Sequence, residues 1–302
     1  YKRQPWTQPF PFYSFEDHPK RQLKRASKYV SETFKIEPIP LDRAPKSRSD
    51  KIRVGYFSAD FHDHPVSHQI AQVLALHDRT KIEVYAYSFG QADDDMRKRI
   101  IGAVDHFKDV TDMSDKDVAL LAREDKIDIA IDLMGYTRGS RANIFALRAA
   151  PVQILYLYEG TIGAQFIDYI IADHTVIPDR LRKYYREKII YLPHSYMPTD
   201  NTLEISDTIM TRKDMGLPED GFVFCCFNAS YKISPREFDI WMRLLTKVEG
   251  SVLWLGQTNQ WAKKNLQKEA ELRGVDPSLS LIHISEPTRQ AEISYAVFCL
   301  KK

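Results

Sequence analysis

Strand-like and helix-like segments alternate along most of this chain, and this alternation limits the fold more than any other sequence feature. Residues 52–61 (IRVGYFSADF) have high β propensity and precede a stretch with helical periodicity, SHQIAQVLALHD. The same succession recurs with the strand patterns of residues 82–90, 107–112 and 127–136. Strands that alternate with helices of about ten residues predict parallel βαβ units and a doubly wound sheet.

A second α/β series begins after residue 211. Its strand patterns, FVFCCF at residues 222–227 and SVLWLG at residues 251–256, are each followed by a helical pattern. A chain of 302 residues is long enough for two α/β domains with a core each. The sequence therefore predicts an α/β fold with two Rossmann-like lobes, and it predicts Cys225 and Cys226 as buried core thiols.

The charge and hydropathy of the chain exclude several classes of partner. Lys and Arg number 43 and Asp and Glu number 41, so no overall field attracts nucleic acid or an anionic membrane. The sequence contains no apolar run of about twenty residues and no apolar signal segment at its start. We therefore expect a soluble, cytoplasmic protein that binds neither nucleic acid nor membrane.

The composition changes along the chain predict four segments. Residues 1–48 are a helical leader and linker, residues 49–205 the first lobe, and residues 206–278 the start of the second lobe. Residues 279–302 resemble the translation of a sequencing adapter, in LSLIHISEPTR and again in ISYAVFCL. We therefore expect the native sequence to stop near Ser278 and the second lobe to be incomplete, and we exclude His283 and Cys299 from every site.

The densest cluster of chemically active side chains follows the first predicted strand. In a parallel sheet this position carries the active-site loop, where imidazoles and carboxylates can transfer protons or contact phosphates. A metal site and a plain solvated loop are the alternatives, and the spacing favours a metal only weakly. The cluster comprises Ser58, Asp60, His62, Asp63, His64 and His68.

Other candidates lie singly at the ends of predicted elements. His106 lies between a helical pattern and a strand pattern, where a structural role is the alternative. Thr161 lies between two glycines in EGTIGAQF, which also fits a simple turn. Lys232 precedes a helix in FNASYKISP, where an ammonium could neutralise a diphosphate, although exposed lysines are common. The acidic run at residues 93–95 precedes a helical pattern and is predicted to cap it.

Taken together and in order, several segments resemble the catalytic region of the protein O-GlcNAc transferase and Spindly-like family in its bacterial form. The segments are KIRVGYFSADFHDHPVSH, VDHFKDVTD, MGYTRGSRANIFALRAAPVQ, DYIIAD, EKIIYLPHSYMPTD, GLPEDGFVFCCFNASYKISP and SVLWLG. The resemblance implies a GT-B arrangement, a nucleotide-sugar donor expected to be UDP-GlcNAc, and inverting transfer to Ser or Thr hydroxyls of proteins. It also implies that no metal or other cofactor is needed, and that tetratricopeptide repeats precede this region.

The resemblance also assigns roles to individual residues. His64 and His106 match the family's two active-site histidines, and Lys232 matches the lysine that contacts the donor diphosphate. Asn228 and Thr161 are further donor-binding candidates. The sequence departs from the family in YLYEGT (residues 156–161), which lacks one glycine and the usual proline, and at Ala229, where relatives carry an amide.

The sequence is also compatible with three alternatives to a GlcNAc transferase. The departures near Thr161 fit a non-enzymatic Rossmann-like binding module. A protein O-fucosyltransferase that uses GDP-fucose belongs to the same broad family, and a nucleotide-sugar epimerase has a similar two-lobe design. Because the second lobe is expected to be incomplete, we expect this chain by itself to be inactive.

Overall fold

The computed structural model describes residues 7–35, 37–40, 51–158, 160–203, 211–256 and 258–282. These residues fall into two compact units, of which the first ends at Leu203 and includes the leader. The helices of the first unit are α1 Pro19–Thr33, α2 Pro65–Ala75, α3 Asp95–Gly102, α4 Asp115–Glu124 and α5 Asn143–Ala146. Its strands are β1 Ile52–Ser58, β2 Ile82–Ser88, β3 His106–Asp109, β4 Ile129–Asp132, β5 Val152–Leu155, β6 Tyr169–Ala172 and β7 Lys188–Tyr191.

The seven strands form one parallel sheet in the order β3-β2-β1-β4-β5-β6-β7. The direction in which strands are added reverses between β1 and β4, which makes this the topological switch point of the sheet. Ser58 pairs with Ser88 on one side of β1, and Phe57 pairs with Asp132 on the other. The carboxyl ends of these strands therefore lie at one edge, and the predicted α/β fold is confirmed.

Both faces of this sheet are covered, as expected for a doubly wound fold. Alternate residues of β1 point to opposite faces, so Phe57 and Tyr56 belong to different core clusters. The first core cluster packs Phe57 against residues of α4 and α5, including Phe145. The second core cluster packs Tyr56 with Ile70 and Leu74 of α2. Burial of these large side chains is the main source of stability for the unit.

The predicted leader helix is present as α1, and it is part of the first unit rather than a separate body. Its Ala26 is completely buried and belongs to the first core cluster. A short 3-10 helix, Phe10–Ser14, precedes it. Glu16 lies between these helices and forms ion pairs with Arg21 and Arg25 of α1.

The second unit contains a smaller parallel sheet in the order β10-β9-β8, formed by β8 Val223–Cys226, β9 Val252–Leu255 and β10 Ser280–Ile282. Helices α6 Pro235–Lys247 and α7 Gln260–Leu272 connect these strands and supply Phe238, Met242 and Ala270 to its core. The expectation that both cysteines are buried was wrong, because Cys225 is exposed on β8 and only Cys226 is partly buried. Successive strand residues face opposite sides, and only one face of β8 meets the core.

Strand β10 falls within the segment expected to be foreign. Residues 280–282 pair in parallel with residues 253–255 of β9, and the rest of that segment, from residue 283 on, lies outside the described residues. A short apolar run can add to an open strand edge whatever its origin. Across the described residues, no helix combines the length and the apolar character that crossing a membrane requires.

Candidate active site

A loop rich in histidine and aspartate follows β1 at the carboxyl edge of the seven-stranded sheet. It ends at His64, the N-cap residue of α2, whose Nδ1 accepts a hydrogen bond from the backbone N–H of Val66 (3.3 Å). Pro65 begins the helix, where its fixed φ is suitable and its missing N–H costs nothing. The same dipeptide begins α1, where Nδ1 of His18 accepts from the N–H of Arg21 (3.4 Å). In both of these helices, His-Pro therefore supplies the N-cap and the first helical residue.

Asp60 lies beside His64 in this loop. Oδ2 of Asp60 is 3.5 Å from Nδ1 of His64, and its Oδ1 is 4.0 Å from Nε2 of His62. Burial raises the pKa of the Asp60 carboxyl and lowers the pKa of the His64 imidazole, while the attraction between the two opposes both shifts. Burial thus favours a neutral His64. Because Nδ1 accepts the helix hydrogen bond, the neutral ring carries its proton on Nε2 and is a hydrogen-bond donor there.

The loop is fixed from outside by Asp94, the N-cap residue of α3. One carboxylate oxygen of Asp94 accepts from the N–H of Arg97 (2.8 Å), and the other accepts from the N–H of Asp63 (2.8 Å). The carboxylate of Asp63 in turn lies 2.8 Å from Nε2 of His68. The prediction that the acidic run caps a helix is confirmed at Asp94. The same side chain also holds the histidine-bearing loop in place.

The loop after β4 lies directly beside the loop after β1. Ser58, the last residue of β1, donates from Oγ to Sδ of Met134 (3.3 Å). Asp132, the last residue of β4, accepts from the N–H groups of Met134 (2.8 Å) and Gly135 (3.3 Å). Burial raises the pKa of the Asp132 carboxyl to about 7, although both hydrogen bonds oppose that shift. A carboxyl group that titrates near neutrality therefore lies one strand away from the histidine-bearing loop.

Thr161 follows β5 at the same edge, but its side chain is buried. It is 3% exposed, and Oγ1 donates to Oε2 of Glu187 (2.7 Å). The other oxygen of Glu187 accepts from the N–H of Ile162 (2.7 Å), and burial raises the pKa of Glu187. Oγ1 of Thr161 also accepts from the N–H of Gly163 (3.0 Å). The hydroxyl of Thr161 is therefore used in hydrogen bonds that stabilise the loop after β5.

His106 lies apart from His64. It is the first residue of β3 rather than a residue before the strand, and three residues, or about 10 Å, separate it from the carboxyl edge at Asp109. Its Nε2 is 2.8 Å from Oε1 of Glu83, and its ring stacks on Tyr85 at 4.2 Å between centroids. Tyr85 belongs to the first core cluster, whereas α2 packs in the second. The structure therefore does not bring the two predicted active-site histidines together.

In the second unit, Lys232 lies at the carboxyl end of β8. It closes a 3-10 turn, Ser230–Lys232, just before α6, and its side chain is exposed. Asn228 in the same loop is also exposed, with Nδ2 3.7 Å from Sγ of Cys226. Oγ1 of Thr258, which precedes α7, donates to Oγ of Ser230 (2.9 Å). The starts of two helices and one ammonium group therefore meet at this edge, which is a favourable environment for an anion.

The described residues contain no group of three or more His, Cys, Asp or Glu side chains arranged to hold a metal ion. Two site residues, Asp132 and Glu187, went unrecognised in the sequence, whereas Asp60 was among the candidates of the loop after β1. Asp132 was hidden in an apolar strand pattern. Nothing in the spacing relates Glu187 to Thr161, since 26 residues separate them.

Comparison with known proteins assigns the chain to a family. The family model described as glycosyl transferase family 41 matches residues 32–207 and 197–290. A probable UDP-N-acetylglucosamine–peptide N-acetylglucosaminyltransferase SEC of Arabidopsis thaliana is 35% identical, over 90% of this chain and 30% of that protein. The Caenorhabditis elegans UDP-N-acetylglucosamine–peptide N-acetylglucosaminyltransferase is 26% identical, over 83% of this chain and 32% of that protein. The chain thus spans about a third of the length of these relatives.

A solved structure gives the same result for the fold. A mutant of the O-GlcNAc transferase of Thermobaculum terrenum superimposes with a TM-score of 0.78 and 27% identity, covering 90% of this chain and 52% of that chain. The likeness extends through both units and supports the GT-B assignment. With a family model that matches most of its length, the chain belongs to glycosyl transferase family 41.

Proposed function

We propose that the protein containing this chain transfers N-acetylglucosamine from UDP-N-acetylglucosamine to Ser and Thr hydroxyls of proteins. The observation that carries the proposal is the Asp60–His64 pair at the switch point of a family 41 sheet. The names of the similar proteins, which act on peptides with this donor, support the substrate classes. A cytoplasmic location stays a prediction from the sequence.

In this proposal His64 is a hydrogen-bond donor. Its burial favours the neutral ring, and its N-cap bond directs the proton to Nε2. A neutral donor can bind an oxygen of either substrate without adding a charge to the site. The carboxylate of Asp60 lies 3.5 Å from Nδ1 and limits how far the ring of His64 can turn. Its negative charge stabilises the imidazolium that forms when His64 takes up a proton.

We propose that Lys232 and the start of α6 bind the diphosphate of the donor. The exposed ammonium and the helix N-terminus both favour negative charge, and that charge grows as the nucleotide departs. Asn228, in the same loop, is proposed as a further donor contact. Since these groups supply the positive potential, the proposed reaction proceeds without a metal.

The contacts of the other two predicted residues, Thr161 and His106, favour structural roles. Thr161 is proposed to shape the loop after β5 through Glu187, because its hydroxyl is engaged there. His106 is proposed to join β3 to β2 through Glu83 and Tyr85. Both would affect the reaction through the sheet edge rather than by contact with the reacting atoms.

The test is an assay of the full-length protein that contains this chain, with acceptor peptides and each of two donors. Mass spectrometry should show one added N-acetylhexosamine per modified Ser or Thr with UDP-GlcNAc. Transfer only from GDP-fucose would replace the donor assignment, and donor binding without transfer would favour a binding module.

Lys232→Gln should lower kcat about a hundredfold or more. The matched variant Lys264→Gln, at an exposed lysine of α7, should leave it unchanged.

A further inference from the structure

The leader of the first unit contacts the loop after β5 at both of its glycines. We call residues 156–158 and 160–163 the β5 loop. A Cβ atom added to Gly160 would lie 2.6 Å from Cε2 of Tyr13 and closer still to its hydroxyl oxygen. A Cβ added to Gly163 would lie 2.7 Å from the backbone nitrogen of Ser27 and 2.8 Å from Cβ of Ala26. Both positions therefore need glycine because the leader packs so closely.

Further contacts join the same two segments. The ring of Phe10 packs edge-on against Tyr158, with 6.0 Å between centroids, and against Tyr13 at 5.9 Å. Oγ of Ser27 donates to the carbonyl of Gly163 at 3.3 Å. The leader thus contacts the β5 loop at Tyr158, Gly160 and Gly163.

The β5 loop continues this series of contacts toward the histidine-bearing loop. A Cβ at Gly135, in the loop after β4, would meet Cβ of Tyr158 at 3.5 Å, which is ordinary van der Waals contact. The neighbouring Met134 accepts the hydrogen bond of Ser58 at the end of β1. Packed side chains therefore connect the leader to the carboxyl edge through two intervening loops.

The β5 loop also has a backbone conformation that its own sequence does not favour. Leu157 has φ +71°, in the left-handed region, although it carries a side chain and is buried. Such a conformation is disfavoured for a residue with a Cβ atom and persists only where the surroundings enforce it. The side chain of Leu157 packs in the second core cluster, while the leader and Glu187 contact the residues of the loop that follow it.

We propose that Tyr13 and Ala26 are positioning residues, through which the leader holds the β5 loop in the geometry that the carboxyl edge requires. This inference rests on the proposed function for its effect on catalysis, but not for its effect on the loop. A segment that precedes β1 in the chain would thereby set the shape of the sheet edge at which His64 lies.

The test of the loop itself is hydrogen–deuterium exchange in the full-length protein that contains this chain. Tyr13→Ala should speed exchange of the β5 loop about tenfold and leave β1 and β2 unchanged. Gly160→Ala, whose backbone φ is ordinary, should do the same by displacing the Tyr13 ring. The double variant should exchange no faster than Tyr13→Ala alone, because the new methyl group then has room.

A matched control is Phe15→Ala, since Phe15 is 77% exposed in the same leader and packs on Phe12 rather than on the loop. It should leave exchange of the β5 loop unchanged. The proposal is overturned if Tyr13→Ala speeds exchange only within the leader. It is also overturned if the effects of the two single variants add in the double variant.

Kinetics give the functional readout. In a protein that transfers sugar, Tyr13→Ala should lower kcat about tenfold while the donor KM changes less than twofold, since Tyr13 is not among the proposed donor contacts. An unchanged kcat together with a faster-exchanging loop would overturn the catalytic part of the proposal. A wild-type protein without transferase activity would refute the proposed function, whereas the exchange experiment would still decide the role of Tyr13 in the loop.

Discussion

Asp132 shows how strongly a single buried carboxyl can link this fold to pH. The ordinary pKa of such a group is 3.8, and burial raises that of Asp132 to about 7. Below pH 4 the carboxyl is protonated in both the folded and the unfolded chain. Between pH 4 and pH 7 only the folded chain keeps the proton, so the free energy of unfolding falls as pH rises, and this contribution is lost above pH 7.

Asp132→Asn should remove this dependence while it keeps an oxygen that can accept from Met134 and Gly135. From pH 4 to pH 7 the wild-type protein should lose on the order of 3 kcal/mol of stability relative to the variant. The difference between their free energies of unfolding should therefore grow over this range in favour of the variant and then level off. Denaturant titrations at several pH values measure it, with Asp112→Asn on an exposed turn as the control. A difference that does not change with pH would contradict the burial of an ionisable group there.

The two His-Pro helix starts allow the capping role of His64 to be separated from its chemistry. Asn is as good an N-cap as any residue, so His64→Asn should keep α2 and change the free energy of unfolding by less than about 1 kcal/mol. The same substitution at His18 changes the N-cap of α1 in the same way. In the transferase assay we expect His64→Asn to lower kcat at least a hundredfold and His18→Asn to change it less than twofold. Equal effects of the two substitutions would show that His64 is only a cap.

At the scale of elements, the sequence predicted what local periodicity controls and missed what depends on distant contacts. The strands β1, β2 and β4 and the leader helix lie within their predicted segments, because β propensity and helical spacing act over a few residues. The helix predicted after β4 is reduced to α5, Asn143–Ala146, and β3 begins earlier than expected, at His106. Sheet pairing with Tyr85 determines that start, and a pattern within the strand cannot show it.

The candidate site follows the same division. The capping role of Asp94 was predictable because a cap bonds to a backbone group three residues away, whereas His64 was chosen for its place after β1 and for its resemblance to the family, not as a cap. The pairing of Thr161 with Glu187, and the approach of Tyr13 to Gly160, join residues far apart in the sequence. Such contacts have no periodic signature, and they decide which loop residues have side chains available for a ligand.

The environment of His106 in β3 leads to a test of its role. The ion pair with Glu83 is partly exposed and is worth about 1 kcal/mol at most, while the stacking on Tyr85 is kept by any planar ring. His106→Phe should therefore retain most of the stability and at least a third of kcat, whereas His106→Ala should lose more of both. Thermal unfolding and the transferase assay measure the two effects. Abolished activity in a stable His106→Phe protein would show that His106 takes part in the reaction itself.

At the scale of the whole molecule, the first unit has the features of a body that folds by itself. Its sheet is covered on both faces by the two core clusters. The chain is also fastened where it leaves this unit. Arg99 of α3 pairs with the buried carboxylate of Asp200 and donates to Oγ1 of Thr202 (3.0 Å), and the N–H of Asn201 donates to Oε1 of Gln72 in α2 (3.2 Å).

A chain that ends at Leu203 should therefore unfold in one cooperative transition, because the edge of the first unit keeps these last attachments. A chain that ends at Pro198 lacks Asp200, Asn201 and Thr202, and it should unfold with a free energy about 1–3 kcal/mol lower and a similar m-value. Urea titrations followed by circular dichroism distinguish the two chains. A broad, non-cooperative transition of the longer chain would show that the sheet depends on the second unit. Equal free energies of unfolding for the two chains would show that the contacts of Arg99 and Gln72 with residues 200–202 do not stabilise the first unit.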